Sequence, residues 1–209
     1  MGFVVAIDGP AASGKGTIAQ RLGAKLGLPV LDTGLLYRAV GVAMASRGGD
    51  LEDDAAAAAA ARALRAVDLQ SDALRTAAAG EAASRVAVHP AVRAALADFQ
   101  RAFAARPGGA VLDGRDIGTV IVPDAAAKLF VTAAPQVRAE RRWRQLRQID
   151  PMVAFDAVLA DILRRDERDS GRDAAPLRAA DDAVLLDTTD LDIDSAFDAA
   201  CRIVEAARG

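Results

Sequence analysis

The chain has 209 residues, enough to bury one sizeable core with small lobes attached. It is 52% hydrophobic but only 4% aromatic, and its net charge of −3 gives no sign of a general affinity for nucleic acid. The one cysteine, Cys201, excludes an intrachain disulfide framework, and no stretch is long and apolar enough to span a bilayer. No basic segment followed by a long apolar one opens the chain, so the expectation is a soluble cytoplasmic protein without a membrane partner.

The first predicted element is a buried strand, the apolar run Phe3-Val4-Val5-Ala6-Ile7. It leads into Asp8-Gly9-Pro10-Ala11-Ala12-Ser13-Gly14-Lys15-Gly16-Thr17 and then a helix carrying Ile18, Leu22 and Leu26, with Gly27 as its stop. A strand, a glycine-bearing turn and a helix are the setting of a phosphate-binding loop. Glycine lets the backbone approach phosphate oxygens, loop N–H groups and the helix dipole attract the anion, and Lys15 can reach the β- and γ-phosphates. A tight strand-to-helix turn that merely carries glycines is the bland reading, and position, flanks and Lys15 all argue against it.

Pro29-Val30-Leu31-Asp32 is a second short strand, and Asp32 or Thr33 is placed to cap the helix through Leu35–Val40. Ala55–Ala61 is an unbroken alanine run, read as an exposed or lightly packed helix. A polar break at Gln70-Ser71-Asp72 precedes Leu74-Arg75-Thr76, and Pro90 opens a helix through Val92, Leu96, Phe99 and Phe103. His89, beside that proline, has no metal-ligand partner in the sequence and reads as structural.

Ala110-Val111-Leu112-Asp113 and Lys128-Leu129-Phe130-Val131-Thr132 are the third and fourth strands. A very basic helix follows, with Arg138, Arg141, Arg142, Arg144 and Arg147 around Trp143, and then an amphipathic helix marked by Phe155, Val158, Leu159, Ile162 and Leu163. Val184-Leu185-Leu186-Asp187 is the fifth strand, and a C-terminal helix places Cys201 on a stripe with Ile193, Phe197 and Val204, as a packed thiol. Strands alternating with helices predict an α/β fold, a parallel sheet covered on both faces. Ligands of such sheets bind beyond the carboxyl ends of the strands, so the loops after Ile7, Leu31 and Leu112 converge on one crevice.

Asp113-Gly114-Arg115-Asp116 stands at one of those strand ends. Asp113 is the candidate to orient the waters of a Mg²⁺ ion, Arg115 suits bidentate phosphate recognition, and Asp116 can accept from an amino group on a base. In the denser run from Arg164 to Arg172, helical spacing puts Arg165 and Asp169 on one face, with Arg172 one turn on. Such runs are usually solvated faces. Clustered arginines also stabilise the charge of phosphoryl transfer, and with the basic helix this segment reads as a lid over the phosphates. Nucleic-acid binding is not expected of it, because aromatic interleaving for base stacking is missing.

Together these pieces resemble the bacterial cytidylate kinases of the P-loop nucleoside monophosphate kinase superfamily. The matching stretches are Ile7–Thr17, Leu31–Arg38, Asp113–Val120, Arg165–Asp169 with Arg172, and Ala175-Pro176-Leu177, in family order. After Gly14-Lys15 the usual hydroxyl residue is replaced by Gly16, with Thr17 one place later, which is typical of monophosphate kinases. The resemblance implies a five-stranded parallel sheet flanked by helices, with a core (1–32, 107–137 and 180–209), an acceptor-binding lobe (about 33–106) and a lid (about 138–179). It implies transfer of a phosphoryl group from ATP to CMP or dCMP with Mg²⁺, by a monomer.

Carried over by position, Gly9 to Thr17 bind ATP, Ser13 also approaches the acceptor, and Thr33 and Arg38 hold the acceptor nucleotide, Arg38 on its phosphate. Ser84, Arg93 and Asp116 read the cytosine edge, Asp169 accepts from sugar hydroxyls, and Arg115, Arg165 and Arg172 grip phosphates beside the catalytic Lys15. The chain departs from the family between Asp68 and Leu74, where an inserted strand region is usual and only Leu69-Gln70-Ser71-Asp72-Ala73 stands. The weighed alternatives are a related kinase acting on UMP, AMP or shikimate, and a regulatory module that binds ATP without turnover. The set Ser84, Arg93 and Asp116 argues against the first, and the double arginine clusters against the second.

Overall fold

A computed structural model describes residues 2–209, apart from the side chains of Ala66 and Val67. Five strands, β1 (Phe3–Asp8), β2 (Val30–Asp32), β3 (Gly109–Gly114), β4 (Ala127–Thr132) and β5 (Val184–Asp187), form one sheet in the order β2-β3-β1-β4-β5. Every pairing is parallel. Eight α-helices among the described residues connect and cover them: α1 (Lys15–Leu26), α2 (Thr33–Ala45), α3 (Asp54–Arg62), α4 (Ala77–Val86), α5 (Pro90–Ala104), α6 (Pro135–Arg147), α7 (Phe155–Gly171) and α8 (Ile193–Arg208).

The continuous apolar strands follow from burial on both faces, with successive side chains alternating between two cores. Val5, Ile7, Val111, Leu129 and Val131 pack with Ile18 and Leu22 of α1 and Ala200, Cys201 and Val204 of α8. Val4, Ala6, Ala110 and Leu112 face the other way, onto Ala97 and Phe103 of α5 and the turn of π-helix at Ile117–Ile121. Register then places the chemistry: Asp113 pairs with Ile7 on one side and with Asp32 on the other. The three strand ends the sequence sends to one crevice are therefore adjacent.

A third cluster lies beside the sheet, among α2, α3, α4 and α5, around Leu36, Val40, Val86, Val92 and Leu96. Here the alanine helix departs from expectation, because Ala57, Ala58, Ala60 and Ala61 of α3 are all buried. Small side chains let helices approach closely. At the neighbouring α2–α4 contact a Cβ on Gly41 would come within 2.7 Å of the Ala82 Cβ. Alanine runs here are packing surfaces, with no periodicity to announce it.

The fifth strand stands where expected, as an edge strand with only Leu186 buried. One further expectation is corrected: Ile193 is 65% exposed although it shares the helical spacing of buried Cys201. Ile193 opens α8, where the helix has already left the core. The short 69–73 region is compacted into two 3₁₀ turns, Ala66–Gln70 and Asp72–Arg75, with Leu74 buried beneath them. No helix among the described residues is long and apolar enough to cross a membrane.

Candidate active site

The loop after β1 is shaped by what lies behind it. Gly9 has φ 149°, and a Cβ there would sit 2.0 Å from the Val131 carbonyl oxygen of the neighbouring strand, so only glycine fits. Gly14, at φ 94°, caps α1 in a left-handed conformation. The Ala11 and Ser13 carbonyls are held from outside: Arg138 donates to the first at 3.3 Å, and the Thr188 hydroxyl donates to the second at 3.0 Å. A loop whose carbonyls are engaged outward offers its N–H groups to an anion at the helix start.

Lys15 is buried, donates to the Pro10 carbonyl at 3.2 Å and lies 3.8 Å from Asp113 Oδ1. Burial pushes the Lys15 ammonium down and the Asp113 carboxyl up, while each partner favours the other's charged form. Gly16 explains the unusual loop ending, since a Cβ there would crowd Asp113 Oδ2 at 3.2 Å.

Helices α6 and α7 bring arginines to the same place. Arg138 forms a two-pronged pair with Asp166, at 3.0 and 2.6 Å, and locks α6 to α7. Arg115 donates to Asp169 Oδ2 at 3.0 Å, and Arg172 lies 3.6 Å from Asp169 Oδ1. These two cations hold the buried Asp169 carboxyl below its usual range against the opposing effect of burial. Arg165 reaches across to the Gly80 carbonyl of α4 at 3.0 Å. Arg38 donates to the Leu74 and Thr76 carbonyls at 2.7 and 3.3 Å, so the shortened segment is held by a cavity arginine.

These side chains surround a cavity of about 870 Å³, at the upper end of ordinary ligand pockets. Ten basic side chains and six carboxylates line it, an excess of positive charge that fits a polyanion. Burial, then Arg165 and Arg142, push the Arg38 guanidinium down to about 10. Arg165 and Arg142 are lowered the same way, by burial and by their cationic neighbours. Buried Ser13 Oγ, Arg142 Nη2 and Arg172 Nη2 have no hydrogen-bond partner among the described residues, a costly state for polar atoms. At the far side Asp116 forms an ion pair with Arg93, whose guanidinium lies 5.6 Å from the Tyr37 ring centre.

Comparison with known proteins decides the family. A sequence model of the cytidylate kinase family matches residues 5–206. The chain belongs to the cytidylate kinase family. It is 65% identical over 208 residues to a cytidylate kinase of Caulobacter vibrioides (strain NA1000 / CB15N), covering 100% of this chain and 98% of the relative. A cytidylate kinase of Xanthobacter autotrophicus is 66% identical over 206 residues, and one of Azorhizobium caulinodans 63% over 207, covering 99% of this chain in each case and 99% and 100% of the relatives. Among solved structures, an uncharacterized protein from Eubacterium ventriosum aligns over 98% of this chain and 99% of its own, with a TM-score of 0.54 at 14% identity, which bears on the fold alone.

As in any cytidylate kinase, the chemistry is phosphoryl transfer, and of the residues singled out from the sequence for phosphate or base all but Gly9 and Pro10 line this one cavity. Thr33 is buried, with its hydroxyl donated to the Asp113 carbonyl at 2.8 Å, so in this kinase it also ties the start of α2 to β3. The capping role falls to Asp32, which accepts from the Gly34 N–H at 2.9 Å. His89 is structural as expected, with Nε2 2.8 Å from the Leu51 carbonyl oxygen.

Sequence reasoning missed Arg141, Arg142, Thr188 and Asp8 as individual site residues. In the basic helix Arg138 is consumed by Asp166, while Arg141 and Arg142 line the cavity, and no pattern within the helix separates them. Asp8 accepts from the Ile117 and Gly118 N–H groups, both at 2.8 Å, and so fixes the turn that carries Arg115 and Asp116. Burial outweighs those two bonds and pushes the Asp8 carboxyl from 3.8 up to about 6. The folded protein therefore holds this proton more tightly than the unfolded chain, so Asp8 contributes stability below about pH 4 that is lost as pH rises through 6. Urea titrations of wild type and Asp8→Asn should diverge across that window, wild type losing up to about 3 kcal/mol relative to the variant. A pH-independent difference would overturn this.

Proposed function

We propose that the cavity divides the family's reaction, ATP-dependent phosphorylation of CMP and dCMP, into a donor half on the Gly9–Thr17 loop and an acceptor half across it. The observation that carries the division is the arginine cluster: Arg38, Arg115, Arg142, Arg165 and Arg172 line one cavity between the phosphate loop and the Arg93–Asp116 pair. Gly9, Pro10, Ala11, Ala12, Ser13, Gly14, Gly16 and Thr17 cradle the ATP phosphates, with Lys15 on the β- and γ-oxygens. Ser13 and Thr33 border the acceptor, Arg38 takes its phosphate, and Asp169 accepts from its sugar hydroxyls. Asp116 accepts from the cytosine amino group, and Arg93 and Ser84 meet the ring acceptors.

The residues at the loop also fit a hard, oxygen-preferring cation. Asp113, whose Oδ2 is left uncrowded by Gly16, and Asp32 on the paired strand offer carboxylates near the exposed Thr17. Mg²⁺ held there through water on Asp113 would neutralise charge on the β- and γ-phosphates. The acceptor phosphate is already ionised at neutral pH, so the protein need supply no general base. Its contribution is to hold the acceptor oxygen in line with the γ-phosphorus and to surround the transferring group with Lys15, Arg115, Arg165 and Arg172.

Residues 1–32, 107–137 and 180–209 serve as the core, about 33–106 as the acceptor-binding lobe and about 138–179 as the lid that excludes water. One chain carries the whole residue set, which supports action as a monomer, and its nucleotide substrates support a cytoplasmic location. With ATP labelled at the γ-position and CMP, label should appear in CDP in equal amount to ADP, and little ADP should form without acceptor. Rapid ADP formation without acceptor, or no labelled CDP, would overturn the reading.

A further inference from the structure

In the charged run of α7, Arg168 is a partly buried arginine that has been given neither a phosphate nor a sugar to hold. Its Nη1 donates to Ser84 Oγ at 2.8 Å and to Glu81 Oε2 at 3.3 Å, and its Nη2 donates to Glu81 Oε1 at 2.9 Å. Glu81 and Ser84 stand three residues apart on α4, so one guanidinium spans both while the two-pronged carboxylate contact fixes its plane. The Arg168 and Glu81 side chains are 27% and 36% exposed, whereas Ser84 is 6% exposed and borders the cavity with Arg93 and Asp116.

The consequence lies in the hydroxyl proton. A serine hydroxyl has one proton to give, and a guanidinium can only donate. With Arg168 filling an acceptor position on Oγ, Ser84 cannot give its proton to Arg168. The helical alternative, the Gly80 carbonyl one turn back, already accepts from Arg165 at 3.0 Å. The cationic neighbour also polarises the hydroxyl and strengthens it as a donor.

We propose that Arg168, fixed by Glu81, is a positioning residue for base specificity: it holds Ser84 as a hydrogen-bond donor toward the cavity, so the site accepts a pyrimidine edge presenting ring acceptors and disfavours one presenting a ring N–H. This rests on the reading of Ser84 as a base contact. It gives the Arg168–Glu81 pair a task beyond bridging two helices. Cytosine offers N3 and O2 as acceptors, whereas uracil carries a proton on N3, so the device separates the two nucleotides at an atom Asp116 does not contact.

The test is steady-state kinetics of Arg168→Met, Arg168→Lys, Glu81→Gln and Ser84→Ala with CMP and UMP at saturating ATP, with thermal midpoints for each. Arg168→Met should raise KM for CMP about tenfold, leave kcat within about threefold and KM for ATP unchanged, and lower the CMP:UMP ratio of kcat/KM. Arg168→Lys, which keeps a donor, should recover much of the loss, and Glu81→Gln should shift the ratio the same way but less. Combined with Ser84→Ala, Arg168→Met should add nothing further. An unchanged CMP:UMP ratio in Arg168→Met and Glu81→Gln, or full additivity with Ser84→Ala, overturns the inference and leaves a structural bridge. An unchanged KM for CMP in Ser84→Ala alone overturns instead the base-contact reading beneath it.

Discussion

Asp116→Ala should abolish useful cytidylate turnover while leaving ATP binding intact. The carboxylate is buried and is paired with the equally buried Arg93. Removing it takes away the acceptor for the cytosine amino group and leaves a guanidinium in the interior without its counterion. The second effect costs about 3–5 kcal/mol of stability, so the folding consequence has to be separated from the catalytic one. Asp116→Asn does so: it keeps the shape and one acceptor oxygen but loses the charge. A hydrogen bond to a charged group contributes about 1.5–3 kcal/mol, so kcat/KM for CMP should fall about 10- to 100-fold in the asparagine variant and further in the alanine one. ATP affinity, measured by calorimetry, should hold in Asp116→Asn because the phosphate loop lies on the other side of the cavity. An unchanged preference for CMP over UMP in both variants would remove Asp116 from base reading.

The second large effect is expected at Lys15. Lys15→Met retains the buried stem and removes only the charge, so packing around the loop is nearly conserved. Asp113, 3.8 Å away, then loses the stronger of the two cations that favour its charged form, Arg115 being the other. Burial keeps its carboxyl protonated near neutral pH, and a neutral acid in the interior costs far less than an unpaired carboxylate. The fold should therefore survive, with a thermal midpoint within a few degrees of wild type. Catalysis should not: removal of a preorganised donor at developing charge costs about 10²–10³ in kcat. CMP affinity should be preserved, because no acceptor contact is altered. A kcat within a few-fold of wild type would show that Lys15 does not bear on the transferring phosphoryl group.

The most local features were the most legible. The loop from Gly9 to Thr17 announces itself because strand, turn and helix are contiguous, and Asp113 to Asp116 because they follow directly on an apolar strand. Both stand at the strand ends where they were expected, and register brings those ends together. Features built from distant partners were silent. Asp8 is held by Ile117 and Gly118, more than a hundred residues on, and nothing near it foretells that. The basic helix shows five arginines of equal standing, yet Asp166 of α7 decides that Arg138 is a strut while Arg141 and Arg142 reach the cavity. Alanine failed as a signal for the opposite reason, since a run with no polar face has no periodicity to say which side is buried. Strand order also lay outside local pattern: five strands were evident, but β3 between β1 and β2 is a long-range outcome.

The shortened 69–73 segment is held against the cavity by Arg38, which donates to the Leu74 and Thr76 carbonyls, and by buried Leu74 beneath. The central claim is that this cavity pairs an ATP phosphate loop with a site that reads cytosine. It is tested most directly by measuring ADP release with CMP, dCMP, UMP and AMP as acceptors at matched concentrations. The account predicts efficient turnover with CMP and dCMP, and kcat/KM lower by on the order of 10² for UMP and AMP. Equal rates with all four acceptors, or no turnover with CMP, would contradict it.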